Sequence, residues 1–198
     1  MVTKRYDRGV LLFSRGDVPE GLHVLREGSA LLYLFGTNGR RLLLDILRPG
    51  DLIGETFAFD GRPSTVSVEA RSTLVTQLVP THRLTDLSVR FPQLQLALAR
   101  GTAANFRGVL TLLEEQVLLP LPIRIMHRLI RLGHRSSAQN VETLSLTQAE
   151  LAAMVGASRQ AVNRELAVLE QQGAIRRHFQ GIECNQERIR GLIASVTV

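Results

Sequence analysis

The chain has 198 residues, 24 basic against 18 acidic, 44% apolar, with one cysteine. That length can bury the core of one or two domains and excludes disorder. The single thiol, Cys184, excludes a disulfide framework, a cysteine-ligated zinc site and an iron–sulfur cluster. No apolar run approaches the roughly 20 residues that cross a bilayer, and Asp7, Arg8, Arg15 and Asp17 interrupt the N-terminal stretch a leader would need. A reducing, cytoplasmic location with no membrane partner is the expectation. Lys4 is the sole lysine, so the other 23 basic residues are arginines, whose planar fork suits phosphate and guanine. The excess is +4 from Leu119 onward and +2 before it. An arginine-rich C-terminal part fits a polyanionic partner, and it fits biased codon usage equally well.

In chain order, residues 10–13, 22–25, 30–35, 41–47, 64–70 and 74–79 are rich in Leu and Val and read as short strands. Gly-bearing turns separate them: Arg15-Gly16-Asp17, Glu27-Gly28, Thr37-Asn38-Gly39, Pro49-Gly50-Asp51 and Asp60-Gly61. Asn38-Gly39 between two apolar runs is the strongest hairpin signal, because a type I′ turn needs positive φ at both central residues. Such spacing predicts a small antiparallel barrel or sandwich. The first strand begins almost at Met1.

A short helix is expected over 82–89, and Pro92 suits the first turn of a longer one running to Leu118, ahead of Pro120 and Pro122. Within it Leu96, Ala99, Ala103, Phe106, Leu110, Leu113 and Val117 recur at alternating spacings of three and four. That is a heptad seam, suited to a parallel homodimer or to packing against its own domain. Gly101 and Gly108 each weaken the helix by up to about 1 kcal/mol relative to Ala, which suggests a close approach to something. A further amphipathic helix is expected over 121–133, then a polar loop over 134–140.

Thr147 with Glu150 three residues on forms a capping box, which fixes a helix start. Gly156 supplies a left-handed turn, and Ser158 caps a second helix running to about Gln172. Small Ala152 lies where the two helices must touch, and Val162 and Leu166 face inward. This is the helix-turn-helix plan. Arg159, Gln160, Asn163 and Arg164 occupy the first two turns of the second helix, and each can reach a base edge: Arg to guanine, Gln or Asn to adenine. Downstream, 173–178 and 181–183 read as a two-stranded wing whose Arg176 and Arg177 are placed to meet phosphates. His178 reads as a polar wing residue, since no His or Cys stands at ligand spacing.

With Arg15-Gly16-Asp17, Arg48-Pro49-Gly50-Asp51, Gly54-Glu55 and the run from Gly156 to Arg164, the chain resembles the Crp/Fnr superfamily of bacterial transcription regulators over nearly its whole length. The resemblance implies an α+β fold: an N-terminal antiparallel β-roll (1–91), a long dimerisation helix (92–118) and a C-terminal winged helix-turn-helix (119–198). It also implies a homodimer that binds double-stranded DNA at an inverted repeat and meets RNA polymerase. By the same resemblance, Arg159 and Arg164 fall at the family's base-reading arginines, and Gln160 stands where the cyclic-AMP receptor has Glu. The DNA-binding set is then Ser158, Arg159, Gln160, Asn163, Arg164, Arg176 and Arg177.

The family's cyclic-nucleotide cassette pairs Gly-Glu with a later Arg-Ser or Arg-Thr. Gly54 and Glu55 are present, but Ser64 stands at the Arg position and Thr65 at the hydroxyl position, with Arg62 displaced across Pro63. A cyclic phosphate without its arginine loses a charge-assisted pair, at a cost of several kcal/mol. Val109 and Leu110, which can neither donate nor accept, occupy the long-helix positions that offer hydroxyls to adenine in the receptor. The expectation is therefore a regulator with no cofactor that acts without cyclic AMP. The alternatives are a cyclic-nucleotide response rescued by Arg62, or a ligand-binding module with no DNA role. For haem, His23 and His82 are the only histidines in the first part, and neither has a second ligand beside it. No Ser–His–Asp set, phosphate loop or metal cluster nominates an enzyme.

Overall fold

The computed structural model describes residues 1–36, 39–134, 141–179 and 181–196. The Asn38 hairpin turn and the polar loop expected after residue 134 lie outside the described residues. The chain divides into two compact units, Met1–Thr111 and Leu112–Val198.

The first unit holds two four-stranded antiparallel sheets. In one, β1 (Val2–Tyr6), β8 (Leu74–Pro80), β3 (Gly21–Glu27) and β6 (Leu52–Ile53) lie side by side in that order. The other runs β2 (Leu11–Phe13), β7 (Ser67–Ala70), β4 (Ala30–Phe35), β5 (Arg41–Leu47). Alternate side chains of each strand point to one face, and Phe13, Leu25, Ala30, Leu47, Ile53, Val68, Ala70 and Leu74 form the buried cluster of this β-roll. The strand expected over 64–70 begins only at Ser67. Ser64 instead turns on itself, its Oγ donating to the Val66 carbonyl at 2.9 Å, and this local bond competes with a ladder partner.

Three helices complete the unit. The six-residue α1 (Glu55–Asp60) follows Gly54, α2 (Thr81–Arg90) matches the expected short helix, and α3 (Pro92–Leu118) starts and stops where its prolines require. Leu84 of α2 and Leu98 of α3 are buried in a second cluster with Leu22 and Val79 of the first sheet. His23 of β3 is buried, its Nδ1 2.9 Å from the Thr76 hydroxyl. Burial holds its pKa below the ordinary 6.5. The folded unit therefore keeps His23 neutral, and as pH falls through 6.5 the unfolded chain takes up the proton first. Stability is complete above that pH and falls below it, by at most about 1.4 kcal/mol per pH unit. The unfolding midpoint is expected to drop between pH 7.5 and 5.5, and His23→Gln to reduce that drop; an equal drop in the variant would exclude this histidine as the cause.

The boundary between the units falls inside α3, so residues 112–118 pack with the C-terminal unit. Leu112 is buried there, and so is Glu115. Glu115 accepts from Arg131 at 2.6 Å and pairs with His127 at 3.2 Å, both on α4 (Leu121–His134). A buried carboxylate with two such partners is compensated, and it ties the end of α3 to the next helix. The remaining elements are β9 (Val141–Leu144), α5 (Gln148–Val155), α6 (Arg159–Gln171), β10 (Ile175–His178), β11 (Gly181–Asn185) and α7 (Gln186–Val196). The wing is thus a three-stranded sheet in the order β10-β11-β9, not the two strands expected. Ile125, Leu129, Leu151, Met154, Val162, Leu166 and Ile189 fill the core between helices and sheet, with Cys184 of β11 buried beside them.

Candidate nucleic-acid interface and effector pocket

Helix α5 begins with the expected capping box. The Thr147 hydroxyl accepts from the Glu150 N–H at 3.1 Å, and the Glu150 carboxylate accepts from the Thr147 N–H at 2.8 Å. Gly156 ends the helix at φ +66°, a backbone region that costs any residue with a Cβ, and its N–H caps the Ala152 carbonyl. The chain then reverses into α6, where the Ser158 Oγ accepts from the Ala161 N–H at 3.1 Å. Val162, Leu166 and Leu169 bury one face of α6, and buried Ala152 of α5 leaves the room that two crossing helices need.

Opposite that buried face, Ser158, Arg159, Gln160 and Arg164 are all exposed. From Ser158 to Arg164 the helix therefore presents two guanidinium forks and an amide to solvent, and the next carboxylate, Glu165, is half-buried. Asn163 departs from this pattern. It is half-buried, and its Oδ1 is shut from solvent without a hydrogen-bond partner. An unpartnered buried oxygen of this kind costs about 1–3 kcal/mol until a donor reaches it.

Arg176 is exposed on β10, but Arg177 is not free for phosphate. Its guanidinium donates twice to Glu170 Oε2, at 2.8 and 2.6 Å, and its backbone N–H donates to Oε1 at 2.8 Å. These bonds hold the Glu170 carboxyl below its ordinary pKa. Strand alternation explains the difference: Arg176 and His178 share the outer face, while Arg177 turns back to α6. Arg177 thus anchors the wing to the helix end. His178 pairs with Glu183 of β11 at 3.3 Å.

Sequence reasoning missed Gln116. Its Nε2 donates to the Met154 carbonyl at 3.1 Å and its Oε1 accepts from Arg124, bracing the end of α5 beside Gly156. The signal was a glutamine closing the leucine-rich stretch that precedes Pro120.

The expected effector residues are only partly assembled. Gly54, at φ +89°, is the N-cap of α1, and a Cβ there would come within 3.0 Å of the Gly21 carbonyl. Glu55 opens the helix. Its Oε1 accepts from Asn105 Nδ2 of α3 at 2.7 Å, a partner the sequence reading did not name. Asparagine is a poor interior helix residue, so Asn105 in mid-helix was itself a sign of a tertiary bond. Arg62 and Thr65 are exposed, and the Ser64 hydroxyl is committed to Val66. Val109 and Leu110 lie on the open side of α3, about half exposed.

All seven heptad residues, Leu96, Ala99, Ala103, Phe106, Leu110, Leu113 and Val117, are exposed on the single chain. Gly101 and Gly108 meet nothing within 4 Å of an added Cβ, so neither admits a close approach from within the chain. Among the described residues no group of three or more His, Cys, Asp or Glu could hold a metal ion, and no helix is long and apolar enough to cross a membrane.

Comparison with known proteins agrees with this architecture. Residues 3–90 match the family model of the cyclic nucleotide-binding domain, and residues 123–188 match that of the Crp-like helix-turn-helix domain. The chain belongs to the Crp/Fnr family of transcription regulators. One relative is the CRP-like cAMP-activated global transcriptional regulator of Mycobacterium tuberculosis, 29% identical over 86% of this chain and 78% of that protein. Another is the cAMP-activated global transcriptional regulator CRP of Salmonella typhimurium, 24% identical over 90% and 87%. The solved structure of FixK2 from Bradyrhizobium japonicum superposes with a TM-score of 0.86 over 96% of each chain, at 19% identity. Crp/Fnr members are DNA-binding regulators rather than enzymes, and the helix-turn-helix built by α5 and α6 is the DNA-binding part of this one.

Proposed function

We propose that this Crp/Fnr regulator acts as a homodimer that reads an inverted-repeat operator without cyclic AMP. The observation that carries the reading is α6, whose capped and exposed first turns present Arg159, Gln160 and Arg164 while its opposite face is buried. The exposed heptad face of α3 supports the dimer. Phe106 and its neighbours there would otherwise stay in water, and a second copy of the same seam covers them. Two recognition helices then enter successive major grooves about 34 Å apart. A cytoplasmic location and a contact with RNA polymerase belong to the same reading.

Independence from cyclic AMP rests on the cassette. Glu55 already has a partner in Asn105, Ser64 offers no charge, and Arg62 is exposed beyond Pro63. A second reading, a cyclic-nucleotide response with Arg62 supplying the missing charge, is favoured by the cAMP-activated relatives. One experiment separates the two: selection of bound duplexes from a random pool by the full-length protein, with and without cyclic AMP. The same palindromic site recovered at equal affinity in both arms is expected. A tenfold or greater gain with the nucleotide would instead support the second reading. Failure to recover any site would favour a ligand-binding module without a DNA role.

A further inference from the structure

The hairpin of β10 and β11 carries Phe179 just past His178, and its ring is wholly in solvent at 107% relative exposure. The other exposed large apolar residues among those described lie between 39 and 76%. Phe179 is remote in sequence from the α3 seam. The hairpin that bears it is held firmly. Arg177 is clamped to Glu170 of α6 by three hydrogen bonds, and His178 is paired with Glu183 across the strands. Arg176 and His178 face outward beside it. An aromatic ring is thus presented on a braced hairpin, near the exposed Arg176, fastened to the DNA-reading helix.

We propose that Phe179 enters the minor groove of the DNA flanking each half-site. Arg176 meets a phosphate along the groove rim, while the ring packs on deoxyribose faces and loosens a base step, bending the duplex. The proposal rests on the DNA-binding role of α6 and adds a second, apolar point of attachment to it. The chemistry favours DNA over a protein partner because, among the described residues, the ring is the only exposed large apolar side chain on the hairpin and stands near the exposed guanidinium of Arg176, whereas a protein interface gathers apolar side chains at its core.

The test uses the full-length protein and a palindromic duplex recovered by selection, with dyes at both ends to report bending. Phe179→Ala is expected to weaken binding roughly tenfold, the size expected for losing one buried aromatic ring, and to reduce the bend. It should leave half-site preference intact. The slope of log K against log salt should also stay unchanged, because a ring releases no counterion, whereas Arg176→Ala should lower that slope by about one. Phe179→Trp should keep both affinity and bend. Parental binding and bending by Phe179→Ala, with Arg159→Ala weakening binding, overturns the proposal and leaves the α6 reading standing. Parental behaviour by both variants overturns both. Loss of transcription with RNA polymerase alongside unchanged DNA binding also overturns it, since the ring would then face a protein.

Discussion

Arg159→Ala and Arg164→Ala are each expected to weaken operator binding by about 10- to 100-fold, and together to abolish it, since a bidentate arginine–guanine contact discriminates by about 1–3 kcal/mol. Both side chains are exposed on the free protein, so neither loss disturbs the fold. Circular dichroism should therefore be unchanged while fluorescence anisotropy with the selected duplex loses its signal. Retained binding in the double variant would remove α6 from the reading of bases. Gln160→Glu makes a companion test. Gln pairs with adenine and Glu accepts from cytosine, so the preferred half-site should change at one position with little loss of overall affinity.

Charging the α3 seam should have the next largest effect. Phe106→Glu combined with Leu113→Glu places two carboxylates on a face where the parental side chains are 63 and 58% exposed in the single chain, so each subunit keeps its own core. In the dimer the four carboxylates would be buried against one another, which costs several kcal/mol. Sedimentation should show monomers. Operator affinity should fall at least a hundredfold, because the second half-site is no longer engaged at the high effective concentration that linkage provides. A dimer that survives both charges would show that the subunits meet elsewhere.

Much of this was legible in the sequence because it depends on neighbours along the chain. Thr147 with Glu150, Gly156 and Ser158 define the helix-turn-helix through contacts spanning three or four residues, and each appears where the pattern puts it. Pro92 and Pro120 likewise bound α3 from local backbone rules. What escaped is long-range. The Asn105–Glu55 bond joins residues 50 apart in the chain, and no local rule announces such a partner. Strand β6 has only two residues and exists because Leu52 and Ile53 lie against β3. Strand β9 follows a polar stretch and gains its place by pairing with β11. Arg177 was read as a phosphate contact because its residue type suits one. Its actual partner, Glu170, lies seven residues back around a turn, where only the strand's alternation sets the direction.

The burial of Leu112 and Glu115 with the C-terminal unit bears on how such proteins can be recombined. Cut at residue 119, the DNA reader would lose the carboxylate that His127 and Arg131 share and the glutamine that braces the end of α5. The natural splice point for grafting a different sensor onto this reader is therefore inside the helix, at Thr111. A junction there must also keep the heptad phase, because Leu113 and Val117 travel with the reader and any change in phase would turn them off the seam.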